Sequence, residues 1–212
     1  MLYKNTIQDS TLELLIRLTG DEVFEDFVLV GGTALALQLG HRISVDLDLF
    51  STKSFDQEIL VDHLRSKYHF ELDFISKNTV KGEINEVQID CIAHQYPWIS
   101  SFVIEDNLRL AGLTDIAAMK LNAISGNGTR LKDFIDVAFL STKISLNQML
   151  EFYQNKYNSN PIIPLKALTY FNDINFHEPI KMTEGVALNW KKIEKRLINI
   201  QKEPNRIFQS VP

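Results

Sequence analysis

The chain has 212 residues, of which 45% are hydrophobic and 23% charged, and its formal net charge is −5. This composition is ordinary for a globular protein with one large domain or two small ones, and the negative charge argues against sequence-blind coating of nucleic acid. The sequence shows no apolar run near the roughly 20 residues of a membrane helix, no signal-peptide pattern and one cysteine, so we expect a cytoplasmic protein without internal disulfides.

The first half of the chain alternates between helical and strand-like hydrophobic patterns. Apolar residues recur every three or four positions in the predicted helices and at every second position in the predicted strands. Residues 27–50 read as an apolar strand, a glycine turn, a short helix and a second strand. The other elements are helices over 5–19 and 54–67, strands over 70–76 and 87–92, and a hairpin-like connection between those two strands. We therefore predict an α/β domain over residues 1–110.

The second half of the chain shows only helical periodicity. The predicted helices begin near residue 113 and continue over 130–141, 145–157, 163–172 and 184–202. Turns and irregular segments separate them. We therefore predict a helical C-terminal lobe over residues 111–212.

Two adjacent glycines, Gly31 and Gly32, separate the first strand of the 27–50 segment from its helix. Glycine lets backbone N–H groups approach a ligand closely, and the positive end of the helix dipole favours an anion at a helix N-terminus. A strand, a glycine turn and a helix in this order indicate a phosphate-binding site.

Two aspartates, Asp46 and Asp48, lie in the strand that follows this helix. Residues two apart on a strand share a face, so both carboxylates point the same way, with apolar residues on the other face. Adjacent like charges repel unless a cation lies between them, and hard oxygen ligands of this kind suit Mg²⁺ held partly by substrate phosphates. We predict a magnesium site here, with Mn²⁺ as the alternative ion.

Asp90 is the third carboxylate of interest, and it projects from its predicted strand on the side opposite its apolar neighbours. If this strand lies beside the one that carries Asp46 and Asp48, the three acids converge, and such a set can hold two Mg²⁺ ions. Asp90 is also a candidate general base for an attacking hydroxyl, with Asp73 on the preceding predicted strand as the alternative. The competing interpretation is a solvent-facing residue at a sheet edge.

Charged residues near the predicted helices add further candidates. Lys120 lies within an apolar helical stripe, where it needs a partner or a ligand phosphate unless it extends to solvent. Asp133 and Asp136 share a helix face. They either belong to a solvated surface or position a cation such as Lys120 or Arg130, or a nucleotide base or ribose. Arg42, just before the acidic strand, could contact a triphosphate or pair with a nearby acid.

The order of these motifs resembles that of AbiEii/AbiGii-type nucleotidyltransferases, which belong to the polymerase-β-like nucleotidyltransferase superfamily. Four family motifs have counterparts in order: Leu29 to Phe50, Ile89-Asp90, Asp115 to Lys120 (Asp-x-x-Ala-x-Lys), and Asp133 to Asp136 (Asp-x-x-Asp). The resemblance spans roughly residues 25–200. It implies a nucleotidyltransferase-fold mixed sheet flanked by helices, an α/β (α+β) core, followed by a helical C-terminal lobe.

The same resemblance implies roles for the candidate residues. It makes Asp46, Asp48 and Asp90 catalytic and metal-binding. The residues that it assigns to the nucleotide and its phosphates are Gly31, Gly32, Thr33 (through its hydroxyl), Lys120, Asp133 and Asp136. We add Arg42 to this set because it lies next to the acidic strand.

We therefore expect a magnesium-dependent nucleotidyltransferase that moves NMP from an NTP to a hydroxyl of RNA or tRNA, of a protein or of a small molecule. The resemblance implies a toxin-like or phage-defence role, with an antitoxin protein as a partner. The alternative is a catalytically inactive nucleotide- or protein-binding module of the same fold.

Overall fold

A single mixed sheet of seven strands organises the first part of the chain. The computed structural model describes all residues, 1–212, in two compact units, Met1–Ala111 and Gly112–Pro212. The strands are β1 (Val28–Leu29), β2 (Leu47–Ser51), β3 (Glu71–Ser76), β4 (Thr79–Ile84), β5 (Val87–Ala93), β6 (Val103–Glu105) and β7 (Leu108–Leu110). Their order in the sheet is β3-β4-β5-β2-β1-β7-β6. The β1–β7 and β2–β5 pairs are parallel, and the other pairs are antiparallel.

The helices of the first unit are α1 (Asp9–Thr19), α2 (Gly31–Leu39) and α3 (Gln57–Tyr68). They pack on β7, β2 and the β3–β4 pair respectively. The predicted mixed α/β sheet flanked by helices is confirmed. Strands β6 and β7 were not among the predicted elements, because three residues are too few for alternation to show.

Two features set the register of the strands that carry the acidic residues. The turn between β4 and β5 uses Asn85 and Glu86, both with positive φ (50° and 65°), as a two-residue hairpin turn requires. Burial alternates along β2, so Leu47 and Leu49 lie on the buried face and Asp48 lies on the other. A slip of one residue would exchange these faces, so core burial itself holds the register.

The second unit is helical. Its helices are α4 (Leu113–Gly126), α5 (Leu131–Leu140), α6 (Leu146–Tyr157), α7 (Ile162–Ala167) and α8 (Trp190–Lys202). Helix α4 packs against α5, α6 and α7, and α5 also packs against α8. The last two helices are shorter than predicted. None of the eight α-helices combines the length and apolar content needed to cross a bilayer.

A buried carboxylate, Asp21, ties the end of α1 to α3. Its Oδ2 atom lies 2.8 Å from His63 Nε2 and accepts hydrogen bonds from Lys67 Nζ (2.8 Å) and Tyr68 OH (2.7 Å). Burial opposes ionisation, but the hydrogen bonds from Lys67, Tyr68 and His63 outweigh it and hold the pKa of Asp21 well below its usual range. The charged form is therefore the one that stabilises the fold.

We expect Asp21→Asn to lower the free energy of unfolding by about 2 kcal/mol at pH 7, because hydrogen bonds to a charged group are lost. A depressed native pKa stabilises the fold above the unfolded-state pKa of about 3.9, and this contribution disappears as the pH falls further. The difference between wild type and variant, measured by urea unfolding, should therefore shrink below pH 4. Asp62→Asn, at an exposed position of α3, serves as the control. A difference that persists unchanged at pH 3 would contradict the assignment.

Candidate active site

The glycine turn joins β1 to α2 and lies directly against an acidic side chain. Gly31 has φ +67°, a left-handed conformation that favours glycine. A Cβ atom at this position would overlap the carboxylate of Asp48. The turn therefore lies in close contact with the carboxylate, and only glycine fits there.

Gly32 makes a second close approach, to the guanidinium group of Arg42, which would overlap a Cβ atom at Gly32. The Arg42 side chain is buried, and its Nη1 donates a hydrogen bond to the carbonyl of Ile43 (3.1 Å). The structure thus packs this cation against the first turn of α2, where it supports the glycine turn. A direct contact between Arg42 and a triphosphate stays a prediction.

Thr33 links α2 to the segment that carries Asp46. Its side chain is buried, with the hydroxyl 2.9 Å from Ser44 Oγ and donating a hydrogen bond to the backbone carbonyl of Asp46. These bonds connect the first turn of α2 to the acidic segment. A contact of the Thr33 hydroxyl with a triphosphate stays a prediction.

The acidic residues lie on neighbouring strands, at the same level. In the parallel pairing of β2 and β5, Asp48 is directly opposite Asp90. Both side chains are partly exposed. Asp46 precedes β2 by one residue, and the alternation along β2 puts it on the face of Asp48. The sequence-based expectation that the strands of Asp48 and Asp90 are adjacent agrees with this sheet.

The side chain of Asp90 has a basic partner that sequence reasoning missed. Lys81 of β4 is directly opposite Asp90 in the antiparallel β4–β5 pair, and its Nζ forms an ion pair with Asp90 Oδ2. No group of three or more His, Cys, Asp or Glu side chains is arranged to hold a metal ion in the structure. The predicted convergence of three carboxylates is therefore incomplete, because the Asp90 carboxylate pairs with Lys81. Counting four residues back from Asn85 and four forward from Glu86 would have found this pair.

Asp73, the alternative general base, lies elsewhere in the sheet. Strand β3 is at the sheet edge, and β4 separates it from β5. Asp73 falls at the irregularity in the β3–β4 register between Leu72 and Phe74. This position favours Asp90 over Asp73.

Three aromatic rings form a row that begins on the face of β2 that carries Asp48. Phe50 follows two residues after Asp48 on β2 and stacks in a tilted arrangement on His94, with ring centroids 5.3 Å apart. His94 in turn contacts Tyr96 at 4.8 Å. Strand alternation at Phe50 was the signal that could have found this group.

The remaining predicted residues form a buried ionic cluster in the helical unit. Lys120 Nζ lies 2.7 Å from both Asp133 Oδ1 and Asp136 Oδ2, and no side chain of the three is more than 6% exposed. Arg130 Nε is 3.5 Å from Asp133 Oδ2. Of the interpretations left open by the sequence, the aspartates position Lys120, and this lysine does not extend to solvent. Its contact with a nucleotide stays a prediction.

Asp115, the first residue of the Asp-x-x-Ala-x-Lys motif, forms a separate ion pair in the same unit. Its Oδ1 accepts a hydrogen bond from Lys156 Nζ of α6 at 2.8 Å, and both side chains are fully buried. The partner could not be identified from the sequence, because helix packing brings together two positions 41 residues apart. The geometry assigns this pair to the helical core.

The donor set near the glycine turn is compatible with a divalent cation. The Asp48 carboxylate lies directly against the turn, where a Cβ atom at Gly31 would overlap it. Asp46 lies on the same face of this strand segment, so both residues offer hard oxygen ligands. Asp90 is directly opposite Asp48 but is neutralised by Lys81. The residues therefore fit Mg²⁺ or Mn²⁺ at Asp46 and Asp48, with Asp90 as a further ligand when it leaves Lys81.

We expect Gly31→Ala to reduce any activity of this site at least tenfold, since the added methyl group must displace the Asp48 carboxylate. The left-handed backbone should also cost about 1–2 kcal/mol of stability. Activity assays and urea unfolding of the variant measure both effects. Gly126→Ala is the matched control, because a Cβ there meets nothing within 4 Å. Full activity of Gly31→Ala would show that the close packing of turn and carboxylate is not needed.

Comparison with known proteins places this geometry in context. The family model for "Nucleotidyl transferase AbiEii toxin, Type IV TA system" matches residues 13–97. This segment contains the glycine turn and all three strand carboxylates, whereas the Lys120 cluster lies outside it. Protein aq_aa25 of Aquifex aeolicus (strain VF5) is 30% identical over 189 residues, which are 86% of this chain and 89% of that protein.

Two solved structures from Helicobacter pylori share the fold. One is described as a candidate nucleotidyltransferase; it is 18% identical with a TM-score of 0.57, over 93% of this chain and 96% of that chain. The other, JHP933, is 16% identical with a TM-score of 0.54, over 94% and 93% of the two chains. At these identities the likeness supports the fold.

Proposed function

Because the chain belongs to the AbiEii nucleotidyl transferase family, we propose that it transfers NMP from an NTP to a hydroxyl acceptor in a Mg²⁺-dependent reaction. One observation carries this proposal: the Gly31 turn packs directly against the Asp48 carboxylate, and Asp90 is at the same level of the adjacent strand. A phosphate-binding turn and carboxylates that can hold a cation are the two parts that such a transfer needs.

The residues have the following proposed roles. The backbone N–H groups at Gly31 and Gly32, with the N-terminus of α2, bind the triphosphate. Asp46 and Asp48 would hold Mg²⁺, with Mn²⁺ as the alternative ion, and the ion would supply positive charge to offset the charge that develops on the phosphates. Thr33 and Arg42 keep the turn and the acidic segment in place.

The transfer itself is a substitution at the α-phosphorus. The acceptor hydroxyl oxygen forms a bond to phosphorus, the bond to the bridging oxygen of the β-phosphate breaks, and pyrophosphate leaves. Asp90 is the proposed base that accepts the hydroxyl proton, because it is adjacent to Asp48 across the β2–β5 pair. Most of the rate enhancement then comes from positioning and charge stabilisation.

The other predicted residues keep subordinate roles in this proposal. Lys120 is the proposed phosphate contact of the helical unit, and Asp133 and Asp136 hold its ammonium group in place. Phe50 and His94 offer aromatic surfaces on which a nucleobase can stack.

The family match supports a proposal for the biological partner, while three classes of acceptor are candidates. The matching family model describes toxins of type IV toxin–antitoxin systems. We therefore propose an antitoxin protein as the partner and the cytoplasm as the place of action. RNA or tRNA, a protein and a small molecule are the candidate acceptors.

Incubation with each α-labelled NTP and Mg²⁺, in the presence of total RNA and protein, tests the proposal. Label transferred to a macromolecule, together with pyrophosphate release, supports it and identifies both substrates. Tight nucleotide binding by calorimetry without label transfer would instead support the inactive binding module.

A further inference from the structure

Lys81 lies in a row with the two strand carboxylates of the proposed site. It is directly opposite Asp90 in the β4–β5 pair, and Asp90 is directly opposite Asp48 in the β2–β5 pair. Paired residues on adjacent strands present their side chains on the same face. The sheet therefore sets an ammonium group and two carboxylates side by side across three neighbouring strands.

The Lys81–Asp90 ion pair contributes little to folding. The side chains are 39% and 27% exposed, and ion pairs this accessible stabilise proteins by about 0–1 kcal/mol. Replacing Lys81 should therefore leave the fold intact. Any effect of replacing Lys81 on metal binding must then come from the loss of its charge and of its ion pair with Asp90.

That charge competes with a divalent cation. The Lys81 ammonium holds Asp90 Oδ2 and offsets the charge of the carboxylate, so a cation held by Asp46 and Asp48 gains less from Asp90 as a ligand while this ion pair persists. The ammonium group also repels a second positive charge next to it. A triphosphate bound at the glycine turn weakens the competition between Lys81 and the cation for Asp90, because its oxygens offer the Lys81 ammonium another anionic partner.

We propose that Lys81 is a positioning residue that keeps Asp90 from the divalent cation until a nucleoside triphosphate binds. This inference rests on the proposed function and extends it to the order of events. Metal alone binds weakly, and nucleotide binding frees Asp90 for its role. Nucleotide and metal therefore bind cooperatively, and Lys81 is the source of part of that coupling.

Mn²⁺ titrations of the full chain, by calorimetry and by electron paramagnetic resonance, test this inference. Without nucleotide, Lys81→Met should bind Mn²⁺ about three- to tenfold more tightly than wild type, because a repelling charge near the ligands is lost. With a non-hydrolysable NTP analogue present, the two affinities should converge to within about twofold, since Lys81 then no longer holds Asp90. Lys81→Gln should behave like Lys81→Met.

Lys77→Met is the matched control. It removes the same charge from an exposed position four residues earlier, in the turn before β4, and should leave the Mn²⁺ affinity unchanged. Equal affinities of wild type and Lys81→Met without nucleotide would overturn the inference, as would weaker binding by the variant. If Lys81→Met bound Mn²⁺ no more tightly than wild type but NMP transfer still depended on Asp48, the proposed function would remain supported. Absence of both Mn²⁺ binding and transfer in wild type would count against the function itself.

Discussion

Asp48→Asn is expected to reduce NMP transfer at least about 100-fold, which is the scale of losing a preorganised electrostatic contact to the reacting phosphates. Asp48 is the carboxylate that touches the glycine turn and faces Asp90 across the β2–β5 pair. Asparagine keeps the size of the side chain but removes the charge that a divalent cation requires. The initial rate of label transfer from the preferred NTP is the measurement.

Two companion variants make this result specific. Asp46→Asn should cause a similar loss, because Asp46 is the other proposed metal ligand. Asp62→Asn removes a carboxylate from an exposed position of α3 and should retain full activity. Circular dichroism of all three variants checks that the fold is retained. Undiminished transfer by both Asp46→Asn and Asp48→Asn would mean that the chemistry has been assigned to the wrong residues.

Asp115→Ala is expected to destabilise the protein by about 3–5 kcal/mol. The variant removes the carboxylate that the buried Lys156 ammonium contacts, and removing one partner of a buried ion pair is strongly unfavourable. Both side chains of the pair are fully buried, so solvent cannot substitute for the missing partner. Urea unfolding, followed by helical circular dichroism, measures the change in free energy.

The double variant Asp115→Leu with Lys156→Met distinguishes a structural ion pair from a functional one. Apolar side chains of similar volume often replace a buried ion pair at little cost, so most of the lost stability should return. Glu151→Ala, which removes an exposed carboxylate from α6, should change stability by less than about 0.5 kcal/mol. A small effect of Asp115→Ala would show that the pair is not the buried core contact that the structure describes.

Predictions made from local patterns agree with the structure in the region around the glycine turn. The strand, turn, helix and strand of residues 27–50 appear as β1, α2 and β2, with the predicted glycine turn at Gly31. Alternation along β2 also placed Asp48 on the partly exposed face. Each of these features depends on residues close in sequence, so the chain reveals them directly.

Local patterns do not identify the partners that a side chain finds far along the chain. The Thr33 hydroxyl donates a hydrogen bond to the backbone carbonyl of Asp46, a contact that its local pattern did not indicate. Asp90 forms an ion pair with Lys81, which the sequence analysis did not identify. In both cases the partner is supplied by the packing of another segment, and a periodic pattern does not identify it.

The amino-acid sequence alone determined the family, the alternation that exposes the acidic side chains and the position of the glycine turn. These depend on backbone sterics and on hydrophobic periodicity, which act over a few residues. Only the tertiary structure decided the ionic partners, namely Lys81 for Asp90, Lys156 for Asp115, and Lys120 for Asp133 and Asp136. Charges attract without regard to separation along the chain, so strand register and helix packing determine which of them meet.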